Sequence, residues 1–470
     1  MVKTIGSLII MSMIACATVH GADDQPEVSV AEMSNEFVGI WQGLLTAGGL
    51  EVRLVFNLAL NDDLTWEATL DSPDQGAAGI PVGSVTTAAS SIEISVPAVA
   101  GSFDGVLDSA TSLIEGSWKQ GGGEFPIQLA RITKVETIIR PQDPERPFPY
   151  HEEEVRFVND DAGITLAGIL TIPEGDGPFP GVVLISGSGP QNRNEEIMNH
   201  RPFLVLSDHL TRNGIAVLRF DDRGVPESEG DLATATTMDF AGDVFAGVNL
   251  LMWREEIDQK AIGLIGHSEG GIIAPIVAVR HPEIAFVVLL AGPGFTGYEI
   301  LLMQNAAILR ASGASEPQIE EANRINAMLY DIVLSESDDL KAAKLLAEEF
   351  EKIGVPKEQI EPQVAVLISP WVRFFYAHDP RRKLEQIAVP LLALNGTLDL
   401  QVPSDENLGA IEAALRSGGA SDFEVHALAG LNHLFQHAKT GLMQEYGQIE
   451  ETFAPEAMTI ISEWILRFGR

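Results

Sequence analysis

Two regions of the chain differ in the spacing of their hydrophobic residues. Between about residues 37 and 132, apolar and polar positions alternate over short segments, and clusters of Gly, Asn, Asp and Ser separate these segments. Such alternation is typical of half-buried antiparallel strands. We therefore expect a small antiparallel β-barrel or sandwich domain over residues 31–135. The predicted strands are Phe37–Gly43, Glu51–Leu58, Thr65–Leu70, Ser91–Val96, Gly105–Leu107, Thr111–Trp118 and Pro126–Arg131.

The tryptophans Trp41, Trp66 and Trp118 fall within these predicted strands. Tryptophans inside a small barrel usually form its core, and we expect them to pack there rather than to line a ligand cavity. The Pro-rich stretch within residues 136–150 is predicted to be a semi-rigid linker to the rest of the chain.

From residue 152 onward the apolar runs become continuous and short, and segments with helical periodicity lie between them. Alternation of buried strands with helices predicts a mostly parallel sheet that helices cover on both faces, over residues 151–470. The expected strands are Gly181–Ile185, Ile215–Phe220, Ala261–Ile265, Ala285–Leu290, Val389–Leu394 and Phe423–Leu428. The expected helices are Pro202–Arg212, Met238–Arg254, Ile272–Arg280 and Asp405–Leu415.

One segment, at about residues 298–368, breaks this alternation. It has helical periodicity, many Glu, Lys and Ala residues, and no strand pattern. A long helical stretch between two strands of one sheet is best explained as an insertion above the sheet edge. We therefore expect a helical cap at about 298–368.

The composition restricts the classes of function. The chain has 67 Asp and Glu residues against 30 Lys and Arg, a formal net charge of −37. Such a charge repels nucleic acid and is not attracted to anionic membranes, so neither is an expected partner. Hydrophobic residues make up 45% of the chain, which excludes global disorder. The lone cysteine excludes an intramolecular disulfide and any cysteine-rich metal site.

Residues 1–21 have the pattern of an export signal peptide. A short basic start precedes an apolar run of about a dozen residues, which is too short to span a bilayer comfortably. Val19 and Gly21 provide small residues for cleavage. The alternative is a lipoprotein signal, in which Cys16 would carry the lipid. No other segment reaches about 18 uninterrupted apolar residues, so we expect an exported protein, periplasmic or secreted, without a transmembrane segment.

A G-x-S-x-G pattern occurs in the sequence GHSEG at residues 266–270. It directly follows the apolar run Ala261–Ile265 and directly precedes the helix predicted at Ile272–Arg280. A strand–turn–helix junction of this kind presents a serine hydroxyl on a sharp turn at the carboxyl end of a sheet. We therefore predict that Ser268 is a nucleophile.

A serine nucleophile needs a general base. For a serine on a turn of this kind, the base is a histidine that follows the serine and the acid in the chain. His433 lies in a loop just past the predicted strand Phe423–Leu428, where the base belongs. His281 ends the helix after the turn, and His426 lies within the last strand. We predict His433 as the base, with His437, one helical turn further on, as the alternative.

The base in turn needs an acid that orients it, placed between the serine and the histidine in the chain. Asp399 lies in the loop after the predicted strand Val389–Leu394. Asp405 begins the next helix, where the helix dipole already explains an acidic residue. We therefore predict a catalytic triad of Ser268, Asp399 and His433.

Acyl transfer also needs backbone N–H donors for the oxyanion. One predicted donor is the N–H of Glu269, the residue after the nucleophile. The other comes from the small-residue loop after the strand Gly181–Ile185, where the N–H of Ser188 is the first candidate and that of Gly189 the second.

Signals for a cofactor or a metal are weak. The sequence GPGFTG at residues 292–297 matches G-x-G-x-x-G, but no second strand ending in an acid follows at the distance that dinucleotide binding requires. The chain contains neither H-E-x-x-H nor a Walker lysine. We expect no cofactor and no metal ion.

Several motifs in the second domain agree with one known pattern. They are SGSGPQ at 186–191, DDRG at 221–224, GHSEGG at 266–271, NGTLDLQVP at 395–403 and GLNH at 430–433. Together they resemble a bacterial secreted α/β-hydrolase family, the esterase D-type carboxylesterases, which are related to serine aminopeptidases and prolyl oligopeptidase-like hydrolases. The β-rich region, with GIWQG at 39–43 and DSPDQG at 71–76, is similar to the lipocalin-like module often fused ahead of such enzymes.

The resemblance covers most of residues 152–470 and implies an α/β-hydrolase fold with ester hydrolysis of small acyl substrates. It carries the roles of nucleophile, acid and base onto Ser268, Asp399 and His433. The chain departs from the family pattern at a few positions, which put substrate preference in doubt more than catalysis. These are Asn192 and Asn194 in place of Asp, Pro226 in place of Gly, and Thr397 in place of an acid or Lys.

The expected function is that of an exported serine carboxylesterase, which hydrolyses small-molecule esters through an acyl-enzyme. The first alternative is a serine peptidase of the aminopeptidase or dipeptidyl-peptidase type, in which cap acids such as Glu320 and Glu321 would bind a substrate amine. The second is a non-catalytic surface protein that binds a lipid or glycan through the β domain. The sequence does not predict the oligomeric state.

Overall fold

The computed structural model describes residues 35–468, apart from 48–49, 62, 76, 121–122 and 136–139. The predicted signal segment at residues 1–21, with Cys16, lies outside the described residues. Within the described part of the chain, no helix is both long and apolar enough to cross a membrane.

The first part of the described chain forms an antiparallel sheet. Its strands are β1 (Gly39–Ala47), β2 (Leu50–Leu60), β3 (Trp66–Ser72), β4 (Ala77–Pro81), β5 (Ser84–Ala88), β6 (Ser91–Val96), β7 (Gly101–Asp108), β8 (Leu113–Gln120) and β9 (Gly123–Ile132). The strand order is β4-β3-β2-β1-β9-β8-β7-β6-β5, so that β1 pairs with β9. The sheet therefore curls around, with β4 and β5 as its two edges. The short link between β4 and β5 forms hydrogen bonds to β3 and β6. These are Val82 N–H to Ala68 O (3.2 Å) and Gly83 N–H to Ser95 O (2.8 Å).

Strands β4 and β5 were not predicted from the sequence. They carry Gly, Pro and Ala, which strands disfavour, and their alternation is short. Their pairing with β3 and β6 supplies the stability that their local sequence lacks.

Aromatic side chains fill the interior of the curled sheet. Trp41 and Trp118 are fully buried, and Phe56 lies 5.5 Å from Phe103 and 6.2 Å from Trp118 between ring centroids. Trp66 is half-buried at the margin of this cluster. The prediction that the tryptophans form core is confirmed for Trp41 and Trp118.

The second sheet is mostly parallel, as predicted. Its strands are β10 (Tyr150–Asn159), β11 (Ile164–Pro173), β12 (Phe179–Ile185), β13 (Ala216–Phe220), β14 (Ile257–His267), β15 (Phe286–Leu290), β16 (Leu391–Gly396) and β17 (Phe423–Leu428). The order is β10-β11-β13-β12-β14-β15-β16-β17, and the strands from β13 to β17 run parallel. The antiparallel pairing of β10 with β11 at one edge was not predicted.

Helices cover both faces of this sheet. They are α1 (Pro202–Arg212), α2 (Thr237–Met252), α3 (Gly270–Arg280), α4 (Gly297–Ala311), α5 (Glu316–Ser335), α6 (Asp339–Ile353), α7 (Lys357–Leu367), α8 (Pro370–Ala377), α9 (Arg381–Leu384), α10 (Ser404–Ser417), α11 (Met443–Tyr446) and α12 (Pro455–Ile465). Apolar residues of α1 and α12 pack in one core, and those of α2, α3 and α10 pack in the other. This arrangement of a mostly parallel sheet between helices is the α/β-hydrolase fold.

Helices α4 to α8 form the insertion between β15 and β16. They run from Gly297 to Ala377, beyond the predicted limit of 368. The difference arises at Ser369 and Pro370, which look like a helix stop in sequence. In the structure Ser369 caps α8 by accepting a hydrogen bond from Val372 N–H (3.3 Å), and Pro370 occupies its first turn, where its missing N–H costs nothing.

Arg140, the first described residue of the predicted linker, contacts the second domain. Arg140 is buried, and its guanidinium donates to the backbone carbonyls of Met198 (2.9 Å), Gly447 (3.0 Å) and Ile449 (2.6 Å). Asn199 donates to the carbonyl of Pro73, next to strand β3. This hydrogen bond joins the two domains in addition to the chain itself.

Candidate active site

Ser268 lies at the sharp turn between β14 and α3. Its φ of +52° is in the left-handed region, which a serine occupies only when its surroundings hold it there. Ser268 N–H donates to Leu290 O at 2.9 Å, and Gly271 N–H donates to Ser268 O at 2.8 Å. The turn leaves the Ser268 side chain partly exposed at the carboxyl end of the sheet.

The glycines on either side of Ser268 make this turn sterically feasible. A Cβ at Gly266 would lie 2.0 Å from Gly270 O, and a Cβ at Gly270 would lie 2.2 Å from Ile185 O. Distances this short leave no room for a side chain at either position. The spacing of the G-x-S-x-G pattern therefore reflects the close approach of α3 to β14 and β12.

Asp399 and His433 lie in the loops that follow β16 and β17. His433 Nδ1 is 2.8 Å from Asp399 Oδ2, and both side chains are buried. Asp399 Oδ1 accepts hydrogen bonds from Gln401 N–H (2.8 Å) and Val402 N–H (2.9 Å), which fix the carboxylate. Because a carboxylate only accepts, Nδ1 of His433 carries the proton and Nε2 is left as a base.

The loop of His433 contacts the turn that carries Ser268. His267, the residue before Ser268, has Nε2 3.0 Å from His433 O, and the two imidazole rings lie 4.8 Å apart. The structure thus brings Ser268, Asp399 and His433 onto adjoining loops at one edge of the sheet.

The alternative residues for acid and base lie at the surface. His437 is exposed and bonds to two acids, Glu451 (2.8 Å) and Glu456 (3.0 Å). Asp405 is exposed in the first turn of α10. Their surroundings give both residues a structural explanation.

The loop after β12, which carries Ser188, is braced by acids from the loop after β13. Asp222 accepts from Ser186 Oγ–H (2.8 Å) and from Gln191 N–H (3.0 Å). Its neighbour Asp221 binds Arg193 at 2.6 Å. The sequence DDRG therefore braces a loop.

This braced loop adjoins Ser268. A Cβ built at Gly187 would lie 3.1 Å from Ser268 Cβ. Ser188 and Glu269, the predicted sources of oxyanion N–H donors, therefore belong to the two segments that flank the Ser268 hydroxyl.

Sequence reasoning missed the pair of Glu195 and His267. Glu195 Oε1 lies 2.8 Å from His267 Nδ1 and accepts a hydrogen bond from Gly187 N–H at 2.7 Å. Both side chains are buried. His267 was visible beside Ser268 in the sequence, but its acid lies 72 residues away and carries no signal of its own.

The side chain of Glu269 was also missed. Its Oε1 accepts hydrogen bonds from Thr237 Oγ–H (2.7 Å) at the start of α2 and from Trp371 Nε1–H (2.8 Å) in α8. Burial raises the pKa of Glu269, and the bonds from Trp371 and Thr237 offset part of that rise. Glu269 thus links the turn of Ser268 to the helical insertion.

Comparison with known proteins gives related hydrolases. The family model described as "Serine aminopeptidase, S33" matches residues 201–343. Esterase EstD of Thermotoga maritima is 26% identical over 295 residues, which cover 62% of this chain and 63%, less than two thirds, of EstD. A 2-hydroxy-6-oxononadienedioate/2-hydroxy-6-oxononatrienedioate hydrolase of Cupriavidus pinatubonensis is 27% identical over 295 residues, 59% of this chain and 93% of that protein. The chain is related to esterases and other hydrolases of the α/β-hydrolase superfamily.

The structure of a Pyrococcus furiosus esterase aligns at 15% identity with a TM-score of 0.42, over 72% of this chain and 100% of that chain.

The remaining sequence features have structural explanations. Among the described residues, no group of three or more His, Cys, Asp and Glu side chains is placed to hold a metal ion. In the glycine-rich segment after β15, Gly294 N–H donates to Asn407 Oδ1 (2.8 Å), and a Cβ at Gly297 would lie 2.3 Å from the ring of Phe375. These glycines allow close packing against α10 and α8.

Proposed function

We propose that the protein is a serine carboxylesterase that hydrolyses small acyl esters through an acyl-enzyme intermediate. The observation that carries this proposal is the buried Asp399–His433 pair, 2.8 Å apart, on a loop that bonds to the turn of Ser268. The relation to EstD supports an ester as substrate.

In the proposed reaction, the Ser268 hydroxyl attacks the ester carbonyl carbon while Nε2 of His433 takes its proton. The tetrahedral oxyanion receives hydrogen bonds from the N–H groups of Glu269 and Ser188. His433 then protonates the departing alcohol. Water, activated by the same nitrogen, hydrolyses the acyl-enzyme and regenerates Ser268. Throughout, Asp399 holds the imidazole and stabilises its charged form.

A small cavity lies beside this site and is lined by Gly187 and Gly189 of the Ser188 loop and by Phe240, Glu269 and Ile273. The insertion α4–α8 covers this end of the sheet through the bond between Trp371 and Glu269.

A serine peptidase is the second candidate, and the match to the serine aminopeptidase model favours it. The acids suggested for binding a substrate amine, Glu320 and Glu321, are exposed, and Glu321 bonds to Arg324 at 2.7 Å. A peptidase would therefore need another anionic site for the amine.

The proposal also covers the N-terminal signal and the first domain. We propose export by the signal at residues 1–21, with lipid attachment at Cys16 as the alternative. Metabolic labelling with a fatty-acid analogue separates the two, because only the lipoprotein incorporates it. The curled sheet is proposed to be a lipocalin-like module, on the resemblance of its sequence motifs and its sequential strand order.

The test is hydrolysis of p-nitrophenyl esters from acetate to dodecanoate, beside a panel of aminoacyl p-nitroanilides. We expect ester turnover that peaks at short chains and is lost in Ser268→Ala. The control variant is Ser335→Ala, which removes an exposed serine hydroxyl at the end of α5. Anilide turnover instead would establish the peptidase, and the absence of both would favour the non-catalytic alternative, a binding protein.

A further inference from the structure

His267 is a buried histidine whose two ring nitrogens both face acceptors. Nδ1 lies 2.8 Å from Glu195 Oε1, and Nε2 lies 3.0 Å from the carbonyl oxygen of His433. A carboxylate and a carbonyl only accept hydrogen bonds, so each ring nitrogen must carry a proton to make its contact. The arrangement therefore calls for an imidazolium paired with the carboxylate of Glu195.

Glu195 also holds a second segment. The oxygen that faces His267 accepts a hydrogen bond from Gly187 N–H at 2.7 Å, one residue before Ser188. Glu195 is 4% exposed, and its φ of +50° places its backbone in the left-handed region. A buried carboxylate needs partners for its charge, and Gly187 and His267 supply them.

The charged and titratable groups around His267 come from several loops. Glu195 faces it from the loop after β12, and Asp399 and His433 face it from the loops after β16 and β17. Burial lowers the pKa of His267, but the charge and hydrogen bond of Glu195, with smaller effects of the His433 carbonyl and Asp399, raise it above its ordinary value. The surroundings of His267 therefore favour the charged ring more than water does.

We propose that Glu195 and His267 are positioning residues, a carboxylate–imidazolium pair that holds the loop of Ser188, the turn of Ser268 and the loop of His433 in the geometry for acyl transfer. The inference rests on the proposed function. One carboxylate and one ring join all three segments, and a displacement of about 1 Å among reacting groups costs on the order of 100-fold in rate. When His267 loses a proton, one of its two contacts is lost, so turnover falls on the alkaline side.

The kinetic test compares Glu195→Gln with a matched control, Glu451→Gln. Glu451 also accepts from a histidine Nδ1 and a backbone N–H, both of His437 at 2.8 Å, but at the surface. In Glu195→Gln the amide oxygen still accepts, but the charge is gone. Active sites are counted in a separate sample by fluorophosphonate labelling of Ser268. We expect kcat per active site to fall on the order of 100-fold, with KM little changed. We also expect the alkaline limb of the pH profile of kcat to move to lower pH in Glu195→Gln. Glu451→Gln should show neither the fall in kcat nor this shift. A lower Tm with unchanged kcat and pH profile would overturn the proposal.

A second measurement does not depend on turnover. The ring nitrogens of ¹⁵N-histidine in the wild-type protein report protonation directly, and the His267 signals are assigned by their loss in His267→Gln. We expect both nitrogens to be protonated at pH 7, and a neutral His267 ring there would overturn the pair. If the wild-type protein hydrolyses no substrate, the proposed function is contradicted. The spectrum still determines the charge of His267 in that case.

Discussion

Asp399 contacts both the backbone of its own loop and the imidazole of His433. One oxygen accepts from Gln401 and Val402 N–H, and the other faces His433 Nδ1. We expect Asp399→Asn to lower kcat by about 10⁴-fold, because the amide no longer selects the tautomer that leaves Nε2 as a base. The amide oxygen still accepts from the backbone, so the fold should survive. Steady-state kinetics and thermal unfolding measure both effects.

The control for this substitution is Asp405→Asn, which changes the exposed acid at the start of α10. It should leave kcat within a factor of two or so of the wild type, since surface changes away from a site are nearly neutral. Near-normal activity of Asp399→Asn would remove Asp399 from the mechanism.

Glu269 makes stability depend on pH. Its pKa is raised above the ordinary value of 4.5, chiefly by burial. A group with a raised pKa in the folded state contributes stability that is present below its unfolded pKa and is lost as the pH rises through the folded value. We therefore expect Glu269→Gln, whose amide oxygen can still accept from Thr237 and Trp371, to gain Tm relative to the wild type as the pH rises from 4 to 8. Thermal unfolding across that range measures the difference, and a constant difference at all pH values would contradict it.

At the scale of elements, periodicity predicted the strands and helices of the second sheet well. The helix Pro202–Arg212 and the strand Phe423–Leu428 have the predicted bounds. Periodicity did not predict the elements in which local sequence and tertiary environment disagree. The hairpin β10–β11 carries charges on its exposed edge, and α8 begins at a serine–proline pair that ends a helix in most settings.

Helix α8 holds the insertion against the active site through Trp371. Its indole N–H donates to Glu269 at 2.8 Å, and its ring stacks on Phe375 with the planes 8° apart. We expect Trp371→Phe to keep the stacking but to lose the bond, lowering the free energy of unfolding by about 1–3 kcal/mol. Urea unfolding measures this loss. Trp253→Phe is the control, since Trp253 is 86% exposed and should change little. Equal effects of the two substitutions would show that the bond does not matter.

At the scale of the whole molecule, Arg140 joins the linker to the second domain. Its buried guanidinium donates to carbonyls of two segments, around Met198 and around Gly447. We expect Arg140→Ala to lower Tm and to expose the linker to protease, because the substitution leaves these carbonyls without their donor. Differential scanning calorimetry and limited proteolysis check this. The control is Arg324→Ala, which removes an exposed arginine of α5. An unchanged Tm in Arg140→Ala would mean that water replaces the guanidinium.

The order of the two sheets and the α/β class follow from the sequence because strand and helix periods are local properties. The G-x-S-x-G turn is also partly local, since Gly266 must approach the backbone of Gly270. The placement of Ser268, Asp399 and His433 on adjoining loops could also be predicted, because loops at the carboxyl ends of parallel strands meet at one edge of the sheet. Only the tertiary structure paired Glu195 with His267, brought Trp371 to Glu269 and seated Arg140, since each of these contacts joins residues far apart in the chain. Two residues that meet only through tertiary packing leave no periodicity or motif in the sequence. Such a pair can therefore be identified only from the folded structure.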